Sequence, residues 1–344
     1  MIVIIDTKNK PFYNNEIFKL EIALKYPGSL TAFYLHELCI KNNIEIYTAD
    51  YVISNNLEIK DAFIITEILT PWTKELTKRG AKRHIILCME TPSFAWKFYS
   101  NLNKITRQYK YSFLFSGSKF KVSDDTIFVP TIFPQPDFIE NSSFSNSWEN
   151  RSHLTLINSN QIRRVYKPLH ILYSLFDKAL RSELYTLRLK LIHFFHKTGK
   201  FDLYGRNWDK KIQGIPYKYY KAALSVYKGS VEDKISTMSN YRFALCIENI
   251  VYPGYITEKI FDCLFAGCIP IYYGAPDIQE YIPKNCYIDY RDFKNNYELD
   301  YYLQNFDSTK YNEFHKNISN FLHSTNFNEY TCRSYAEKLF KTII

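Results

Sequence analysis

Short apolar runs alternate along this chain with longer stretches of amphipathic spacing. Ile2 to Ile5, Ile44 to Tyr47, Ala62 to Ile65, His84 to Met89, Tyr111 to Phe115 and Ile127 to Val129 each read as a buried strand. Residues 17–26, 31–40 and 73–78 carry apolar side chains at helical spacing. Pro130, Pro134 and Pro136 punctuate the end of this set. From Asn141 to Arg151 the pattern fades into Ser and Asn, which predicts a linker. The alternation then resumes. Leu154 to Asn158 and the run from Phe201 predict strands, and 166–180, 184–197 and 231–239 predict helices. Cys286 to Ile288 predicts a last short strand, and 297–344 reads as mostly helical. Strands alternating with helices argue for α/β architecture in two domains, residues 1–150 and 151–344.

One stretch carries the strongest pattern, Tyr241 to Gly274. Phe243 to Ile247 is an uncharged strand, and Pro253 and Gly254 mark a turn. Ile256, Ile260 and Leu264 then define a helix face, with Thr257 at the N-cap position and Gly267 at the end. Ile269 to Tyr273 is the next strand. This is one parallel crossover unit. In such sheets ligands collect beyond the carboxyl ends of the strands, and a helix N-terminus there suits a phosphate. Glu248 and Asn249 fall at the strand end; Tyr255, Glu258 and Lys259 fall at the helix start. Lys259 offers positive charge and Glu258 can accept two hydroxyls. The bland alternative is that Glu258, Lys259 and Asp262 form a solvated helix face.

Composition narrows the options. The 344 residues are 46% hydrophobic, enough for two sizeable cores. A net charge of +9 permits an anionic ligand or an anionic membrane surface. No dense basic block or zinc-finger spacing supports nucleic acid. The seven cysteines include no CxxC pair and read as reduced core residues of a cytoplasmic protein. Neither a signal peptide nor an apolar run of membrane-spanning length is expected. G-x-G-x-x-G and P-loop motifs are absent, which weighs against oxidoreductases and P-loop enzymes. No convincing Asp-x-Asp metal hook occurs, and no metal is expected. Two α/β domains with a phosphate-friendly crossover in the second suit a nucleotide-sugar enzyme.

The motifs are recognisable at this point. Tyr241-Arg-Phe-x-Leu-Cys-x-Glu-Asn249, Gly254-Tyr-Ile-Thr-Glu-Lys259 and Ala266-Gly-Cys-Ile-Pro-Ile-Tyr-Tyr-Gly274 resemble the signature of the α-1,3/1,4-fucosyltransferases, glycosyltransferase family 10. Tyr204-Gly-Arg206, Tyr227-Lys-Gly-x-x-x-x-Lys234 and Met89-Glu-Thr-Pro92 resemble elements that precede it. The resemblance covers 200–280 and extends back to residue 84. It implies a GT-B fold, two Rossmann-like domains facing each other across a cleft. It also implies GDP-fucose as donor, no required metal, inversion at the fucose carbon, and a glycan or glycolipid acceptor such as N-acetylglucosamine O3 in a lipopolysaccharide. Without an N-terminal anchor the chain resembles the soluble bacterial members, cytoplasmic or peripheral at the inner face of the membrane.

An inverting transfer needs a carboxylate to take the acceptor proton. Glu90, directly after a buried strand, is the candidate, and its family counterpart is a proposed base. Glu248 is the rival base or an organiser of the donor site. Arg206 and Lys259 are expected to stabilise the leaving diphosphate, with Lys228 as a further phosphate candidate. Tyr255 is expected at a phosphate or the fucose ring, Glu258 at sugar hydroxyls, and Asn249 as a support for the donor loop. Arg163 and Arg164 either face the nucleotide or cap a helix. Two other readings stay open: the same fold using a different nucleotide-activated sugar, and a non-catalytic glycan- or polyanion-binding protein.

Overall fold

The computed structural model describes residues 1–67, 70–138, 144, 146–161, 182–211 and 215–344. The helix expected over 166–180, together with Arg163 and Arg164, lies outside the described residues. The chain divides into two compact units: residues 1–137 with 328–344, and residues 138–327.

The first unit is built on six parallel strands. These are β1 (Ile2–Asp6), β2 (Glu45–Thr48), β3 (Phe63–Glu67), β4 (Lys82–Leu87), β5 (Tyr111–Leu114) and β6 (Ile127–Pro130). Their order is β2-β1-β3-β4-β5-β6. Both faces are apolar, as a parallel sheet covered on both sides requires. Val3, Ile5, Ile65, Ile85 and Phe113 pack on one face with Leu35, Leu339 and Phe340. Ile4 and Ile64 pack on the other with Val52 and Leu76. The last helix, Cys332–Ile343, belongs to this unit and lies against the Leu30–Lys41 helix. His84 Nε2 on β4 is 2.7 Å from the Thr342 carbonyl oxygen. The helix expected over 17–26 is split into a 3-10 turn, Glu16–Phe18, and a short helix, Leu20–Lys25.

The second unit carries β7 (Ser152–Ile157), β8 (Phe201–Tyr204), β9 (Tyr241–Ile247), β10 (Ile269–Tyr273) and β11 (Ile288–Asp289). They are parallel, in the order β11-β10-β9-β7-β8. The strand order reverses direction at β7, the kind of switch point where doubly wound sheets hold ligands. The crossover between β9 and β10 is the Glu258–Phe265 helix, which buries Ile260, Phe261, Leu264 and Phe265. Gly267 ends it at φ +60°, and the Cys268 N–H donates back to the Cys263 carbonyl at 2.9 Å. Buried Arg151 donates to the carbonyls of Phe144, Tyr241 and Ala266, tying the chain's entry into this unit to the crossover. Two parallel-sheet, Rossmann-like domains are the architecture of the GT-B fold.

Candidate functional site

A cavity of about 310 Å³ opens at the carboxyl ends of β7, β8 and β9. Asn158 and Ser159 come from the end of β7, Gly205 and Arg206 from β8, and Asn249 from just beyond β9. Lys234, Glu258 and Lys259 complete its charged lining.

The cavity floor is a single hydrogen-bonded cluster. Thr257 is the N-cap, and its hydroxyl accepts from the Lys259 N–H at 3.4 Å. That hydroxyl also donates to Glu248, at 2.9 Å to Oε1. The Thr257 N–H donates to the same carboxylate at 3.0 Å. Lys259 Nζ donates to Glu248 Oε2 at 2.9 Å and to Thr257 Oγ1 at 3.0 Å. An ammonium has three N–H bonds, so one remains for a ligand. The Glu248 side chain is fully buried and that of Lys259 is 12% exposed, which rules out a solvated helix face for Lys259. Gly274, at the end of β10, makes room for this pair. A Cβ there would lie 2.5 Å from Glu248 Cγ.

A second layer lies beneath. Arg188, on the Tyr185–Phe195 helix, is 2% exposed. Its guanidinium donates to the Ile247 carbonyl at 2.7 Å, to Asn249 Oδ1 at 2.8 Å and to Asn158 Oδ1 at 3.2 Å. Asn249 Nδ2 in turn donates to the Tyr255 hydroxyl at 3.2 Å. Arg188 thus ties together the loops that follow β7 and β9.

The charges are set by these contacts. Burial works to lower the Lys259 pKa, but Glu248 and then Glu258 outweigh it, and the ammonium is held above its usual range. Burial works to raise Glu258; Lys259 and Lys234 reverse this and hold its carboxyl below the ordinary value. Lys234 is opposed by burial and rescued by Asp262, 2.5 Å away, so its pKa also rises. Burial pulls Arg188 down, yet a guanidinium stays protonated. Arg188, Lys234 and Lys259 offset Glu248, Glu258 and Asp262. Arg206, exposed and without a carboxylate partner among the described residues, leaves the cavity with surplus positive charge.

Of the residues singled out from the sequence, Arg206, Asn249, Glu258 and Lys259 line the cavity, and Glu248 lies beneath it. Tyr255 is 4% exposed and reaches the site through Asn249 rather than through the cavity wall. Lys228 does not line the cavity; its ammonium pairs with Asp202 at 3.3 Å and the side chain is 53% exposed. Glu90 belongs to the first unit, three residues beyond β4. Its carbonyl accepts from the Tyr99 hydroxyl at 3.0 Å, which anchors the loop, and the residue is half-buried. Sequence reasoning did not single out Arg188. The available signal was an arginine inside the apolar stripe Tyr185, Leu189, Ile192. Among the described residues no group of three or more His, Cys, Asp or Glu side chains is arranged to hold a metal. Nor, among them, is any helix long and apolar enough to cross a membrane.

A doubly wound sheet with a cationic cavity at its carboxyl edge defines an α/β protein built to accept an anionic ligand. Residues 180–338 match the family model described as glycosyltransferase family 10 (fucosyltransferase), C-terminal part. That stretch, a little under half of the chain, is similar to that family. It is 40% identical over 80 residues to an α-(1,4)-fucosyltransferase of Arabidopsis thaliana, covering 23% of this chain and 20% of that one. It is 38% identical over 88 residues to the α-(1,3)-fucosyltransferase FucT of Helicobacter pylori, covering 26% and 17%. The matched stretches therefore span a fifth or less of those relatives. A crystal structure of an α1,3-fucosyltransferase with GDP-fucose superposes with a TM-score of 0.51 at 17% identity, covering 100% of this chain and 90% of that one. At that identity the likeness speaks for the fold.

Proposed function

We propose that this protein transfers fucose from GDP-fucose to a hydroxyl of a surface glycan, with inversion at the fucose anomeric carbon. The carrying observation is the cationic cavity at the ends of β7, β8 and β9, lined by Arg206, Lys234, Glu258 and Lys259. Its volume of about 310 Å³ is at the small end of ligand pockets. The match of residues 180–338 to the fucosyltransferase family supports fucose as the sugar. The acceptor we propose is O3 of an N-acetylglucosamine, as in a lipopolysaccharide chain.

In this reading the acceptor oxygen attacks the anomeric carbon opposite the diphosphate. The bond from that carbon to the β-phosphate oxygen breaks, and its electron pair leaves with GDP. Glu90 takes the acceptor proton. Arg206 and the remaining N–H of Lys259 stabilise the charge that grows on the diphosphate. Lys259 is already held in place by Glu248 and Thr257, so it needs little reorganisation as the bond breaks. Glu258 is left to accept hydroxyls of the ribose or of fucose. The seven cysteines, all buried, support a reducing, cytoplasmic setting.

The test is transfer from a panel of nucleotide sugars to N-acetyllactosamine, its type 1 isomer and free N-acetylglucosamine, with EDTA present. Fucose transfer from GDP-fucose should survive EDTA. Glu90→Gln should lower kcat by about 10²–10⁴ while GDP binding is kept. Transfer from another donor alone would retain the diphosphate site and discard fucose. GDP binding without transfer to any acceptor would count against the acceptor assignment. Unchanged activity in Glu90→Gln would remove Glu90 as the base.

A further inference from the structure

On loops that follow its strands, the first unit exposes aromatic rings beside lysines. Phe120 is 94% exposed, an extreme value for so large an apolar ring. It sits between exposed Lys119 and Lys121 on the 3-10 turn Ser116–Lys121, just after β5. The loop after neighbouring β4 adds Phe94, 41% exposed, and then Trp96 and Lys97. Lys8, from the loop after β1, places its Nζ 5.8 Å from the Phe94 ring centre, and Lys97 Nζ lies 5.6 Å from that of Trp96. Aromatic rings and ammonium groups thus stand on the loop after β1 and on the neighbouring loops after β4 and β5. Of the acidic groups on these loops, Glu90 is half-buried, Asp125 is paired with Arg107 at 3.1 Å, and Asp124 is exposed.

We propose that this rim docks on an anionic lipid bilayer, with Phe120 entering the interface and Lys119, Lys121 and Lys97 meeting headgroup phosphates. A solvated phenylalanine flanked by lysines gains on both counts there: the ring leaves water and the ammoniums meet negative charge. A protein partner fits less well. Protein interfaces are depleted in lysine, and a single ring standing clear of the surface offers no groove to fill. A sugar platform fits less well too, because a pocket for a ring needs polar walls beside the aromatic face. This surface goes beyond the transfer reaction, and its readout is vesicle binding rather than activity.

The test uses the full chain with sedimenting vesicles of equimolar phosphatidylcholine and phosphatidylserine, and with vesicles of phosphatidylcholine alone. The protein should pellet with the mixed vesicles, release at high salt, and stay in solution with the neutral ones. Phe120→Ala should weaken the partition about tenfold. Lys119→Ala and Lys121→Ala should each weaken it about fivefold. All three side chains are exposed, so thermal unfolding and GDP binding should not move in these variants. Failure to pellet with the mixed vesicles would overturn the proposal. So would equal binding to neutral vesicles, or binding indifferent to both kinds of substitution. If Phe120→Ala left vesicle binding intact but raised the KM for a water-soluble acceptor, the ring would be a sugar platform instead.

Discussion

The Lys259 ammonium lies 2.9 Å from Glu248 Oε2, and the two side chains are 12% and 0% exposed. Such a pair is held by mutual need: each charge is costly in the interior unless the other is present. Lys259→Met should therefore destabilise the protein by about 3–5 kcal/mol, because it strands Glu248. Adding Glu248→Gln to Lys259→Met should recover much of that loss of stability without restoring donor binding. Urea unfolding of the two single variants and the double variant checks this. Simple additivity of the losses would mean that the two groups do not couple. The pair is also robust to mild alkali. The folded pKa of Lys259 is raised, so its contribution is complete below the unfolded value and is lost only as pH climbs through the higher folded one.

Gly274 bears on the same pair from the neighbouring strand. A methyl group there would meet Glu248 Cγ at 2.5 Å and the Tyr272 hydroxyl at 2.6 Å. Gly274→Ala should cost about 1–3 kcal/mol and weaken GDP binding together with stability, because Glu248 must shift to admit the Cβ. Calorimetry of GDP binding would show it. A fully stable variant with normal affinity would mean that the carboxylate can move without disturbing Lys259.

Arg206 and Lys228 are both cations near the end of β8, and they should behave differently. Arg206 lines the cavity with no carboxylate partner among the described residues, whereas Lys228 is engaged by Asp202 outside it. Arg206→Ala should reduce donor affinity by about 1.5–3 kcal/mol, the scale of a charge-assisted hydrogen bond. Lys228→Ala should leave it almost unchanged. The comparison is made by titrating GDP into each variant; equal losses would place Lys228 at the ligand as well.

His153, on β7, packs edge-to-face against Phe243 with ring centres 5.6 Å apart, and its Nε2 has no hydrogen-bond partner among the described residues. Burial, helped by Lys200 and Arg242, lowers its pKa from 6.5 to about 4. The unfolded chain takes up this proton first, so stability falls as pH drops from 6.5 towards 4. Above 6.5 both states are neutral and the residue adds no slope. The expected loss is roughly 2 kcal/mol, allowing for solvent screening. Urea midpoints across this range should flatten in His153→Gln. An unchanged acid slope in that variant would assign the loss to other groups.

Local pattern carried much of this protein. The runs of Ile, Val and Phe were legible as strands because a parallel sheet buried on both faces favours apolar residues along its whole length. Thr257 was legible as an N-cap and Gly267 as a helix end, since those positions are decided by backbone groups within one turn. The crossover from β9 to β10 could be read almost residue by residue, and with it the grouping of Glu248, Glu258 and Lys259. Other features depended on distance. No local rule says that the Cys332–Ile343 helix returns to the first sheet; that follows from which apolar face is left to cover once the sheet has formed. Arg188 was hidden for the same reason. Its role depends on carbonyl and amide oxygens at Ile247, Asn249 and Asn158, which are remote in sequence and meet only at the sheet edge. The separation of Arg206 from Lys228 likewise came from the fold, because both read as loop cations until Asp202 claims one of them. The sequence alone determined the elements, the family signature and the chemistry available at the end of β9. Tertiary structure decided which charges are buried, which are paired and which remain for a ligand, because burial and pairing depend on neighbours that only folding brings together.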